Sequence, residues 1–218
     1  ETLSGSNSDR FQYVLPSYDF SKNFSLDNID GSFNLNSNGN NTLNDTNVVT
    51  SSISNDLGYS TLNKYFNNGI KTNFKIALKN INTVGKNNPT YKNSPQSELM
   101  STYMYNATLP LVKKNSKTFN TLEPKISLRF SPHEMKNNSN ESRRIDINNV
   151  FTTNRLSLGD SFEAGESITL GLNFKKEKVK ADSKIDKIEE YIDFKLASVF
   201  RLDEEKNIPT NSTLNKKN

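Results

Sequence analysis

Apolar and polar residues alternate with a period of two along most of this chain. From Ile168, the residues Ile168, Leu170, Leu172 and Phe174 take one parity, and Thr169, Gly171, Asn173, Lys175 and Glu177 take the other. Ile192, Phe194, Leu196, Phe200 and Leu202 stand opposite Asp193, Lys195 and Arg201. The pattern recurs in Ile70, Phe74, Ile76 and Leu78 against Lys71, Asn73, Lys75 and Lys79. It recurs again in Ile126, Leu128 and Phe130 against Lys125, Ser127 and Arg129, and in Val49, Ile53, Leu57 and Tyr59 against Thr50, Ser52, Ser54, Asp56 and Ser60. Side chains of a strand point alternately to its two faces, so each segment predicts a strand with one apolar face. Helical periodicity is almost absent.

Weaker alternation predicts further strands over Arg10–Tyr18, Gly31–Ser37, Glu98–Pro110 and Arg144–Arg155, with another starting near Asn207. The sum is roughly nine or ten strands, many longer than the globular mode of about 5–6 residues. Asn-, Gly-, Pro- and Ser-rich stretches at Asn36–Asn47, Gly85–Pro95, Pro132–Ser142 and Gly159–Ser167 predict the loops between them. The mixed-charge run Lys175–Glu190 reads as a solvated loop running into a strand. Such short connections predict an antiparallel all-β fold.

Two architectures share this pattern. A soluble sandwich buries its apolar parity between two sheets. A transmembrane barrel turns that parity to lipid and the polar parity to a wet interior. Strand lengths near the ~9–11 residues that cross a tilted bilayer favour the barrel. So do the full charges on the polar parity: Lys71, Lys75, Lys125, Arg129, Asp193, Lys195 and Arg201. Composition points the same way. Only 32% of the 218 residues are hydrophobic, and Asn alone is about one in six, too little for a large greasy core. A largely disordered chain is the third reading of such a composition.

The chemistry-bearing residues are sparse. With no Cys and one His, the chain holds no disulfide, thiolate nucleophile or multi-histidine metal cage. His133 lies in SPHEM between Ser131 and Glu134, but neighbours in a loop do not converge as a catalytic triad must. Glu163 and Glu166 flank Gly165 and read as a hairpin turn before a strand. Glu189 and Glu190 carry no ligand spacing, and no phosphate-loop, dinucleotide or calcium-loop pattern occurs. Sequons at Asn106, Asn137 and Asn140 are expected by chance in an Asn-rich chain. The net charge of +4 comes from interleaved acids and bases, which does not suit a nucleic-acid binder. Tyr103, Tyr105, Phe130, Phe151, Phe162 and Tyr191 lie at or near predicted strand ends, as in an aromatic girdle or as ordinary β-formers. No apolar run is long enough for a membrane helix, and no leader follows Glu1, so the chain is expected to be a processed product or an internal fragment.

Several segments together resemble a known family. They are RFQYVLPSYDFS (Arg10–Ser21), ELMSTYMYNATLPL (Glu98–Leu111), TLEPKISLRFSPHEM (Thr121–Met135), RRIDINNVFTTNRLSLGDSFEAGESITLGLNFKKEK (Arg143–Lys178) and IDFKLASVFRL (Ile192–Leu202). This resembles the β-barrel of the LptD family of lipopolysaccharide-assembly proteins, in an alphaproteobacterial style. The resemblance implies that residues 1–218 are part of an outer-membrane barrel of about 26 strands, without the family's signal peptide and N-terminal jellyroll. It implies insertion of lipopolysaccharide into the outer leaflet of a Gram-negative outer membrane, with an LptE-like lipoprotein plug and periplasmic Lpt bridge components as partners. It implies neither catalysis nor a cofactor. The family's jellyroll-to-barrel cysteines have no counterpart here.

Within that reading Ile168, Leu170, Leu172 and Phe174 are expected to face outer-membrane lipid. Thr169, Asn173, Lys175 and Arg129 are expected to face the interior, with Gly171 marking a close backbone approach or curvature. A porin-like or substrate-specific outer-membrane channel is the alternative from the same architecture. A soluble adhesin-like sandwich is the alternative from another.

Overall fold

The computed structural model describes residues 12–44, 47–180, 187–212 and 214. Ten strands are present, and no helix occurs among the described residues. They are β1 (Gln12–Leu26), β2 (Ile29–Asn44), β3 (Val48–Ser60), β4 (Lys64–Tyr65), β5 (Lys71–Lys86), β6 (Gln96–Thr108), β7 (Leu111–Lys114), β8 (Thr118–Ser131), β9 (Gly165–Lys180) and β10 (Lys187–Arg201). The fold is all-β and antiparallel, as the alternation predicts. The strands follow the order β1-β2-β3-β5-β6-β8-β9-β10 in one sheet, with β4 on β5 and β7 on β8. Eight of the ten run 13–16 residues, longer than the pattern alone suggested.

The chain divides into two compact units. The first comprises Glu1–Ser60 and Ile76–Ser101. Here the polar face is tied by amides. Asn34 Nδ2 donates to Asn23 Oδ1 at 2.6 Å and Ser21 Oγ to Asn36 Oδ1 at 2.7 Å; on the opposite face Ser37 Oγ donates to Asn55 Oδ1 at 2.6 Å. Residues 36–44, expected as loop, continue β2 because turn-favouring side chains find cross-strand partners: Asn36 and Asn41 bond Ser21 and Pro16 O of β1, and Ser37 bonds Asn55 of β3. Phe24, Phe33 and Tyr59 stack across β1, β2 and β3, with centroids 5.2 and 4.7 Å apart. Lys79 Nζ is 2.7 Å from Asp56 Oδ1. The ring of Tyr18 covers Gly39, its ladder partner.

The second unit comprises Thr61–Lys75 and Thr102–Asn218. Its ladders are long, and the β9–β10 ladder has one register shift, between Ile188 and Glu190. β8 pairs β9 from Thr118↔Lys178 to Ser131↔Gly165, and β9 pairs β10 from Lys180↔Lys187 to Ser167↔Arg201. The described parts of the charged run Lys175–Glu190 are therefore strand rather than loop, with Lys175 beside Asp193 across the ladder. Residues 181–186 lie outside the described residues.

The main departure from expectation is the connection over residues 132–164. The predicted strand Arg144–Arg155 does not form. Asp146 Oδ1 accepts from the backbone of Asn148 and Asn149, Asn149 Oδ1 accepts from Asp146 N, and Asn154 Oδ1 accepts from Leu158 N. These side chains close successive turns locally, which competes with a ladder. No strand begins near Asn207 either. Its backbone is held in a turn by Glu205 Oε1, and its carbonyl accepts from Asn138 N. Residues 159–164 are coil, as expected, but Glu163 and Glu166 do not flank a hairpin turn: residues 161–164 are buried, and the chain enters β9 at Gly165 with φ +85°.

The core sits in this connection. Met135, Ile145, Val150, Leu156, Leu158, Ala164 and Ile208 cluster, with Phe151, Ala197, Val199 and Leu214 against them. Ala197 and Val199 lie on the polar parity of β10, so the core covers the face that carries the charges, not the apolar one.

Candidate functional site

The two faces of β8, β9 and β10 are exposed in reverse of a water-soluble sheet. On the apolar parity, Ile126, Leu128, Phe130, Leu170, Phe194, Leu196 and Phe200 are all exposed, each by 40–57%. On the polar parity, Ser127, Arg129, Ser131, Ser167, Thr169 and Arg201 are at most 3% exposed. The residues that would ordinarily hide are outside, and those that would ordinarily be wet are packed.

What covers the polar face is the 132–164 connection, and an ion cluster joins the two. Glu163, 1% exposed, receives a forked pair of bonds from Arg155, Nε to Oε2 at 2.7 Å and Nη2 to Oε1 at 2.6 Å. Arg201 from β10 bonds the same Oε1 through Nη1, and donates Nη2 to Ala164 O at 3.0 Å. Arg129 from β8 brings Nη1 to 3.8 Å from Glu163 Oε2 and donates Nη2 to Thr153 O at 3.4 Å. Arg155 also reaches β9, donating to Thr169 Oγ1 at 3.2 Å and Ser167 Oγ at 3.1 Å. One carboxylate thus joins β8 and β10 to the connection, and Arg155, bonded to the same carboxylate, reaches β9 between them. Burial pushes the Glu163 carboxyl up, but Arg129, Arg155 and Arg201 together outweigh it and hold the pKa at about 2.

The residues singled out by sequence fall as follows. Leu170 is exposed, and Ile168, Leu172 and Phe174 are half-buried on the same parity. Thr169 and Arg129 lie beneath the connection within the ion cluster. Asn173 and Lys175 lie beyond it: Asn173 Nδ2 donates to Glu123 Oε2 at 3.4 Å, and Lys175 Nζ pairs with Glu177 at 2.5 Å. At Gly171 a Cβ would meet the ring of Phe151, so the close approach is a contact with the folded connection.

Phe151 and Phe162 are not strand-end aromatics; both belong to the connection, and Phe162 is buried. Tyr103 and Phe130 pair across β6 and β8 with centroids 6.3 Å apart. The SPHEM residues serve the packing. Ser131 Oγ and Thr102 Oγ1 share a hydrogen bond at 3.0 Å, and His133 Nε2 lies 3.1 Å from Phe162 O. Among the described residues no group of acidic, His or Cys side chains is arranged to hold a metal.

Sequence reasoning missed Arg155 and misread Glu163. A signal was present: an arginine between the apolar residues Val150, Leu156 and Leu158, with an acid following at Glu163. Nothing local says that Arg129 and Arg201 converge on the same carboxylate.

No curated protein matches the chain. A family model described as LptD, LPS transport system D, matches residues 10–218. The exposed apolar parity, the long antiparallel strands and that match across nearly the whole chain agree, and the protein belongs to the LptD family of lipopolysaccharide-transport components.

Proposed function

We propose that these strands are a membrane-spanning arc of an outer-membrane barrel that passes lipopolysaccharide and inserts it into the outer leaflet. The carrying observation is the reversed exposure of β8, β9 and β10. Full burial of a Leu, Ile or Phe is worth about 1.5–3 kcal/mol, and each of these half-exposed side chains left in water forgoes about half of that, so a row of them calls for an apolar surround. Lipid supplies it. Strands of 13–16 residues rise roughly 3.4 Å per residue, and at a tilt of about 45° they cover more than the ~25 Å apolar band of such barrels.

In this reading Ile168, Leu170, Leu172 and Phe174 face lipid. Asn173 and Lys175 face the interior, while Thr169 and Arg129 anchor the 132–164 connection to the inner wall. That connection narrows the interior beside β8–β10 and gives a lipoprotein plug of the LptE kind a fixed surface to dock on. Residues 1–218 are one part of a larger barrel served by a periplasmic bridge. The protein moves its substrate without making or breaking a bond.

The test is a single-cysteine scan of the full parent protein in bilayers, made possible by the lack of native cysteine in this segment. Labels at Leu170, Leu172 and Phe174 are expected to be quenched only by a lipid-soluble agent, and labels at Asn173 and Lys175 only by a water-soluble one. A label at Thr169 is expected to be reached by neither. Shielding of Leu170 and Leu172 from lipid would return the soluble sandwich.

A further inference from the structure

On the exposed apolar face of the second unit, the ladders set side chains in rows across the strands. Leu111 of β7, Leu122 of β8, Phe174 of β9 and Phe194 of β10 are successive ladder partners and form one apolar row. Two residues further along each strand, the next row on that face is Lys113, Asn120, Lys176 and Ile192. Neighbouring strands lie about 4.8 Å apart, so the two lysines stand roughly 10 Å apart on either side of Asn120. Lys113 and Lys176 have no carboxylate within 4 Å among the described residues. On the other face Lys175 and Lys195 do, in Glu177 and Asp193. At the far end of the apolar face the rows finish on aromatic residues and an acid: Tyr103 stands beside Phe130, and Phe130 beside Glu166.

A cavity of about 230 Å³ joins the two rows. Lys113 and Asn120 line it from the polar row, and Leu111, Leu122 and Phe174 from the apolar one. The partner this selects is amphiphilic. A free phosphate would leave the apolar row in water, and a hydrocarbon chain would leave both ammonium groups unpaired. A lysine lays its stem along apolar surface and sends its ammonium group toward charge, which suits the boundary between acyl chains and headgroups. The connections choose the leaflet. At the lysine end β7 and β8 are joined by the tight turn 115–117, and at the other end β8 and β9 by the long connection 132–164. In outer-membrane barrels the short turns face the periplasm and the longer loops the outside. The lysine row therefore meets the periplasmic leaflet, away from the one that receives lipopolysaccharide. The anionic amphiphile on that side is glycerophospholipid.

We infer that Lys113 and Lys176, across Asn120, form a headgroup site for anionic glycerophospholipid of the periplasmic leaflet. This rests on the proposal that the exposed apolar face meets lipid.

The experiment uses the full parent protein in bilayers of phosphatidylcholine and phosphatidylglycerol, with a bimane label on Thr118→Cys, one row beyond the lysines on the same face. Nitroxide-labelled phosphatidylglycerol and nitroxide-labelled phosphatidylcholine are compared as quenchers. Phosphatidylglycerol is expected to be favoured at least ~5-fold beside the label, from about 1 kcal/mol per lysine near an anionic headgroup. Lys113→Gln/Lys176→Gln is expected to abolish the preference. Lys113→Arg/Lys176→Arg keeps the charge and is expected to keep the preference, which separates loss of charge from loss of fold. Lys195→Gln, on the other face, is expected to leave it unchanged. A label on Leu202→Cys, at the far end of the apolar face, is expected to show no preference. Equal quenching at Thr118, a preference that survives the Lys→Gln pair, or displacement of phosphatidylglycerol by unlabelled lipopolysaccharide at equal mole fraction would each overturn the site. A label on Leu170→Cys reads the membrane arc separately. If both lipids quench it while Thr118 shows no preference, the headgroup site falls and the arc stands. If neither quenches it, both fall.

Discussion

The two units solve the same problem differently. Each is built of long alternating strands whose polar face must find partners. Across β1–β3 the partners are neighbours in the sheet: Asn23 bonds Asn34 and Ser21 bonds Asn36 between β1 and β2, and Asn36 bonds Asn34 along β2. Across β8–β10 the partners come from outside the sheet, as the connection folds onto the polar face and brings Arg155 and Glu163 to Arg129 and Arg201. An amide ladder is made of small, neutral, replaceable bonds. A buried cluster of three guanidiniums and one carboxylate has no spare acceptor. The second unit should therefore fail at single residues where the first degrades gradually.

The largest expected effect follows from that contrast. Glu163→Ala leaves three arginines buried without their shared anion and is expected to cost about 3–5 kcal/mol. Release of the 132–164 connection, seen as protease cleavage there in the folded protein, measures it. If proteolysis and thermal stability are unchanged, the cluster does not hold the connection. Acid should imitate the substitution. The Glu163 pKa lies below its unfolded value, so its contribution is present above about pH 4.5 and is lost as pH falls toward about 2. Hydrogen exchange of residues 155–164 is expected to stay flat from pH 7 to 5 once corrected for intrinsic rates, and to accelerate below that. The amide ladder of β1–β3 has no titrating member and should show no such window.

Leu170→Arg places a cation on the exposed apolar parity of β9. At the lipid midplane it is expected to cost about 2–4 kcal/mol of folding into bilayers. The measurement is the folded fraction in urea titrations with vesicles, and a neutral outcome would remove Leu170 from the lipid face. Gly171→Ala tests the seam between strand and connection. The new methyl must displace the Phe151 ring, at roughly 1–3 kcal/mol for overpacking. Pairing it with Phe151→Leu should recover part of the loss if that contact is the cause.

The smallest effect belongs to the first unit. Asn36→Ala removes bonds to Ser21 and Asn34 and is expected to cost about 0.5–1.5 kcal/mol. A loss as large as that of Glu163→Ala would erase the distinction between the two units.

Alternation made the strands legible because the side-chain period of a strand is a property of adjacent residues. Ile168 through Phe174 announces its two faces without any knowledge of the fold. The same local logic failed at Asn36–Asn44, where turn-forming residues found cross-strand amide partners and stayed extended. It failed at Arg144–Arg155 in the other direction, where weak alternation lost to Asx-closed turns around Asp146 and Asn149. Glu163 was visible as an acid beside a glycine, but its role depends on residues far along the chain, Arg129 and Arg201.

The sequence by itself determined an all-β antiparallel chain, the parity of each strong strand, and the absence of thiol and multi-histidine chemistry. Tertiary structure alone decided that the 132–164 connection folds onto the polar face, that three arginines share Glu163, and that Lys113 and Lys176 stand in one row. The reason is range. Which side of a strand a residue occupies follows from its immediate neighbours. What then meets that side is settled by chain returning from tens of residues away, and by whether charge, amide or methyl arrives with it.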